Sequence, residues 1–333
     1  MVFHPAIYAL LVGSVLISAM LIYSAYHGVR ILMRWNIRSG GELQLNLERR
    51  TYLISTMVSY AFGFQLISFF LFIFTADSLH TLFVGAMCAA GSLNVNEFGY
   101  PTVILKTLNF ILAGLWLILN FTDNRAYDYP LIKKKYLMLL LITPGIVIEA
   151  IIQANYFLGM EPDIITSCCG TLFSADAEGV TSGIVALPVL PVSAAFYATM
   201  MLSAALGIFF YIRGRGAYLF SLTTMMAFIV SVVALVSYIS LYIYELPTHH
   251  CPFDILQAEY SFVGYPLYAC LLGSAVSGMG VGTLKPFQKI KSLVQVIPSV
   301  QRGLTLASLG LSSIFLGIVV YSVASSNLTL ALF

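Results

Sequence analysis

Charge is scarce in this chain. Only 9% of its 333 residues are Asp, Glu, Lys or Arg, against about 25% in a soluble domain. Too few polar groups are present to cover a water-facing surface, which excludes an ordinary soluble fold. No basic stripe exists and the net charge is +2, which argues against nucleic acid as a partner. Cysteine pairs at the tight two-residue spacing of zinc ribbons and iron–sulfur proteins are also missing. Long polar loops are missing too, so no separate soluble domain is expected.

What the chain has is apolar length. It is 59% hydrophobic, with mean hydropathy +0.92. Apolar runs near 5–29, 52–76, 101–122, 137–159, 186–212, 217–244, 263–284 and 304–326 each reach the roughly 20 residues needed to cross about 30 Å of hydrocarbon as a helix. The expected class is therefore an all-α, polytopic integral membrane protein of eight transmembrane helices, with lipid as its first partner.

The cations fix an expected orientation. Fifteen of sixteen Lys and Arg residues fall in or beside the gaps at 30–51, 123–136, 213–216 and 285–303. The other gaps carry Asp77, Glu97, Glu161, Asp163, Asp176, Glu178, Glu245, Asp254 and Glu259, and no Lys or Arg. The positive-inside bias places the first set in the cytoplasm. Both termini then lie on the outer, periplasmic side of an inner membrane. The first run has no basic leader and is followed by Arg30 and Arg34, so it reads as an uncleaved span rather than a signal peptide.

The chain reads as one transmembrane domain over 1–333, with a hint of duplication. Phe98-Gly99-Tyr100-Pro101 stands before span three and Val263-Gly264-Tyr265-Pro266 before span seven. Cys88 and Cys251 precede these two prolines by 13 and 15 residues. On this reading 1–159 and 186–333 are two parallel four-span repeats joined by the loop 160–185. The competing reading is that Gly-Tyr-Pro is a common interfacial helix start.

Four cysteines, Cys88, Cys168, Cys169 and Cys251, fall in the gaps assigned to the outer side, an oxidising compartment. Three disulfide pairings of four cysteines are open. Cys168 and Cys169 are neighbours, poorly placed to bond each other. Cys270 lies two turns into span seven and reads as a packing residue. The segment His249-His250-Cys251-Pro252-Phe253-Asp254 stands out. Pro252 suits a first helical position, which predicts Cys251 as N-cap of a short helix running to about Tyr260, where the helix dipole favours a thiolate.

Cys251-Pro252-Phe253-Asp254 resembles a Cys-x-x-Cys whose second cysteine is replaced. Membrane thiol oxidoreductases of the vitamin K epoxide reductase type carry that motif at a helix start beside a quinone. The resemblance covers four residues and implies a reactive thiol at Cys251, with Cys88, Cys168 or Cys169 as its exchange partner. The same side chains, with His80, His249 or His250, also supply soft ligands for copper, zinc or an iron–sulfur centre.

Two charges fall within spans. Glu149 lies mid-span, five residues after Pro144, where a carboxylate is costly and usually functional. It is the candidate for handling a proton, a cation or a quinone hydroxyl. Lys106 sits near the outer end of span three and is expected to snorkel to the interface, at a different depth from Glu149 and out of its reach. His27 has no second intramembrane histidine at matching depth, so a bis-histidine b-type haem is not expected. Three functions stay open: a redox protein with an outer Cys/His site coupled to a quinone, a soft-metal binding or transport protein served by a periplasmic carrier, and a non-catalytic membrane subunit of a larger bioenergetic complex.

Overall fold

The computed structural model describes residues 4–36, 41–161, 166 and 180–329, the side chains of 180–182 excepted. Cys168 and Cys169 lie outside the described residues. Those described are helical, without a strand, and eight of the helices are long and apolar enough to cross a membrane. They fall on the eight apolar runs. The chain divides into two compact units, residues 1–75, 96–160 and 286–300 in the first and 76–95, 161–285 and 301–333 in the second.

The first unit holds α1 (Pro5–Arg34), most of α2 (Glu42–Ser78), α4 (Gly99–Asp123) and α5 (Ile132–Leu158). α5 packs against both α1 and α4. Phe62 meets Trp116 edge to face, with ring centroids 5.1 Å apart, among Ile17, Leu21, Val58 and Leu139. At the α4–α5 turn, Lys135 does not reach water as a basic flank. It is 1% exposed and pairs with Asp123 at 2.8 Å, while its ammonium also donates to Asn120 Oδ1 at 3.0 Å. Asp123 Oδ1 accepts the Leu131 N–H at 2.7 Å. A buried charge requires such partners.

The second unit holds α3 (Ala89–Leu93), α6 (Val180–Val185), α7 (Val189–Arg213), α8 (Ala217–Tyr244), α9 (Gly264–Leu284) and α10 (Val296–Ser325, from residue 301). α9 lies at its centre: 61% of its apolar window is buried, against 22% for α7 and for α10. Its glycines explain how. A Cβ on Gly278 would stand 2.5 Å from Thr224 of α8, so α8 and α9 approach as closely as they do only because that atom is missing. The run Gly278–Gly282 is thus a packing surface. Ser274 and Ser308 each donate to the other's backbone carbonyl at 3.0 Å, tying α9 to α10.

α8 is not regular throughout. A π-helical turn occupies Leu235–Ile239. The widened turn leaves the Val236 carbonyl to accept from His250 Nδ1 at 2.9 Å. Such turns recur at functional sites, and this one anchors the cysteine-bearing segment that follows.

Candidate functional site

Cys88 and Cys251 are 163 residues apart in sequence, and their sulfurs are 3.5 Å apart. Both are 0% exposed. The described cysteines form no disulfide. Cys88 is the N-cap of α3, its Sγ accepting the Ala90 N–H at 3.3 Å. Cys251 Sγ accepts the Phe253 N–H at 3.4 Å and donates to Asp254 Oδ1 at 3.4 Å. Each sulfur therefore faces a backbone N–H, the kind of donor that stabilises a thiolate. Val236, Ala90 and Phe253 pack around the pair, with Ile184 and Val185 of α6.

Asp254 is 7% exposed and sits between sulfur and imidazole. Its Oδ2 is in close contact with His249 Nε2. Burial pushes its carboxyl upward. The hydrogen bonds from His249, Cys88 and Cys251 and the His249 charge outweigh that and hold it below the ordinary carboxylate range. His249 is 23% exposed, so this imidazole connects an enclosed carboxylate to the surface.

The local conformation differs from the sequence reading. Cys251 does not cap a helix running to Tyr260. Two short 3-10 turns follow it instead, Asp254–Leu256 and Ala258–Tyr260, broken at Gln257 by an extended backbone (ψ 162). Side-chain hydroxyls account for the break. Tyr244 donates to the Cys251 carbonyl at 2.6 Å and accepts the Ile255 N–H at 3.0 Å. Tyr268 donates to the Pro252 carbonyl. With these groups engaged by tyrosines, the i→i−4 ladder does not start. The helix-capping cysteine is Cys88.

A second set of contacts holds the two cysteine segments in register. Asp77 Oδ1 accepts the Ala89 N–H at 3.1 Å and Gln257 Nε2 at 3.3 Å. Gln257 also donates to the Met87 carbonyl at 2.9 Å. One carboxylate and one amide thus bridge the residues flanking Cys88 to the turn beyond Cys251. Thr166 joins from a third segment, its N–H bonded to the Val84 carbonyl at 3.0 Å. Gly85, at φ +89, makes this fit possible, because a Cβ there would lie 2.5 Å from the Thr166 carbonyl oxygen.

The histidines separate. Only His249 reaches the cluster, through Asp254. His250 bonds to Val236 in α8, and His80 Nδ1 contacts the Asp77 carbonyl. Among the described residues, the group of His, Cys, Asp and Glu side chains able to share one ion is Cys88, Cys251 and Asp254, whose ligand atoms lie within 4.8 Å of one another. Asp254 entered the sequence reading only as an acid where a cysteine was missing. The Cys251-x-x-Asp254 spacing was the signal that could have placed it beside the sulfur. Asp77, Gln257 and Tyr244 had no such signal, because only the fold brings them together.

Glu149 lies in the first unit, in a different setting. Its carboxylate accepts Gln65 Nε2 at 2.8 and 2.7 Å, Asn109 Nδ2 at 2.7 Å and Lys106 Nζ at 2.7 Å. Lys106 does not snorkel. It is 2% exposed, as is Glu149, and the two form an ion pair, which corrects the expectation that they sit out of reach. The Lys106 ammonium also lies 5.4 Å from the Phe72 ring centre.

The chain matches no family model, no curated protein and no solved structure at a significant level. The functional reading rests on the site itself.

Proposed function

We propose that this multi-pass membrane protein is a thiol oxidoreductase whose Cys88 and Cys251 alternate between dithiol and disulfide. The observation that carries the reading is the enclosed sulfur pair, 3.5 Å apart, with the Asp254 carboxylate 3.4 Å from Cys251. Oxidation breaks two S–H bonds, forms one S–S bond and releases two electrons and two protons. Asp254 is the nearest base for the Cys251 proton, and His249 links it to the surface.

A membrane quinone is the acceptor this site suits best. It takes up two electrons and two protons as quinol. Its redox head group is compact and its tail apolar, and the pair is walled by Val236, Ile184, Val185 and Phe253. Sulfurs with no exposed surface are closed to a bulky protein disulfide. The charge asymmetry along the chain supports a periplasmic placement of the pair.

Differential alkylation tests the proposal in native membranes. With the quinone pool oxidised, Cys88 and Cys251 should shift together into the alkylation-resistant, reducible fraction. With the pool reduced, both should return to thiols. A pair whose state ignores the pool refutes the coupling.

A further inference from the structure

We infer that the reduced site binds one zinc-class divalent cation, held by Cys88 Sγ, Cys251 Sγ and one oxygen of Asp254. The inference rests on the proposed role of the same two thiols and adds a ligand that their disulfide cannot hold.

The spacing of the three atoms carries it. Zinc–thiolate bonds of about 2.3 Å and zinc–carboxylate bonds of about 2.0 Å at tetrahedral angles place two sulfurs about 3.8 Å apart and a sulfur and an oxygen about 3.5 Å apart. The observed separations are 3.5 Å for the sulfurs and 3.4 Å for Cys251 Sγ to Asp254 Oδ1, and all three ligand atoms fall within 4.8 Å. A sulfur pair at this distance subtends about 100° at a metal 2.3 Å from each. That suits a tetrahedral ion and not a linear, two-coordinate cuprous ion, whose sulfurs would stand more than 4 Å apart. A mixed sulfur and carboxylate set also favours the borderline cation over a purely soft one.

The surroundings are those of a metal site. The Ala90 and Phe253 N–H groups already point at the two sulfurs, so they offset thiolate charge when the thiol protons leave. His249 holds the other oxygen of Asp254, the outer-shell arrangement that orients a ligating carboxylate. Binding displaces two thiol protons and forms two metal–sulfur bonds. A disulfide instead requires the sulfurs to close to about 2.0 Å, which leaves no thiolate for the ion. Oxidation of the loaded site passes two electrons to a quinone, which takes two protons from water to become quinol, and leaves one disulfide and one free cation. The metal and the disulfide are therefore mutually exclusive states of one site.

The test uses the full-length chain, purified in mild detergent, stripped of metal and reduced, then titrated with Co2+ and competed with Zn2+. The expected result is one equivalent per chain with thiolate-to-cobalt charge-transfer absorption, lost in C88S, C251S and D254N. H249Q should weaken binding roughly 10–100-fold, the usual effect of removing an outer-shell partner. Size-exclusion profiles identify any variant that fails to fold. For such a variant, X-ray absorption at the cobalt edge on the Co2+-loaded wild-type chain decides the ligand set, two sulfurs and a light atom being expected. Failure of the reduced wild-type chain to bind Co2+ overturns the inference, as does binding undiminished in C88S or C251S. If a Cys88–Cys251 disulfide still forms in a chain that binds no metal, the inference fails alone and the redox proposal stands. If metal binds but no such disulfide can be formed, the redox proposal fails and mutual exclusion fails with it.

Discussion

The ammonium of Lys106 stands 2.7 Å from Oε1 of Glu149, with both side chains 2% exposed. Counting from the shared end of two antiparallel helices explains why they meet. Lys106 is seven residues in from Gly99, and Glu149 is nine residues in from Leu158. At 1.5 Å per residue their depths differ by only about 3 Å, well within a lysine's reach. The carboxylate is further satisfied by Gln65 and Asn109, so the pair is a saturated network within the first unit.

Removing one partner of this pair strands a buried charge. K106M should cost about 3–5 kcal/mol, read as a large drop in the thermal midpoint of the detergent-solubilised protein. The double variant K106M/E149L should recover much of that loss. A single variant as stable as the parent would show that the pair contributes nothing to the fold.

The Asp77–Gln257 bridge should govern access to the sulfur pair. D77A leaves the Ala89 N–H and the Gln257 amide without that carboxylate. A loss of about 1–3 kcal/mol of local stability follows. Cys88 and Cys251 should then react faster with a small maleimide, while Cys270, in α9, should not change. Equal acceleration at all three cysteines would indicate general loosening rather than a local clamp.

Much of the fold was legible in composition. The eight apolar runs needed only length and hydropathy, and the helices fall on them. The site was less legible. Cys88 and Cys251 could be nominated, but sequence does not encode distance across 163 residues. The Cys251 cap was misread because Pro252 signals a helix start, whereas Tyr244 and Tyr268, from elsewhere in the chain, occupy the groups that helix would need. Lys106 was misread because snorkelling is the default for a lone lysine near a span end, and its partner lay 43 residues away.

Gly278 should tolerate no side chain. G278V drives new methyl groups into Thr224. Overpacking of this kind costs about 1–3 kcal/mol and should lower the thermal midpoint. T224A should partly rescue G278V if the clash is the cause.

Orientation is testable independently. Periplasm-active reporters fused after residues 95 and 260 should be active, and those fused after 126 and 214 inactive. The opposite pattern would move the sulfur pair to the cytoplasmic face and remove its oxidising surroundings.

The most direct measurement is mass mapping of the cysteines after mild oxidation of the native, membrane-embedded protein. One cross-linked peptide pair joining Cys88 to Cys251 is expected, reversible by reductant and abolished by either C88S or C251S. Cross-links that join each of these cysteines only to Cys168 or Cys169, with none between the two, would contradict the account.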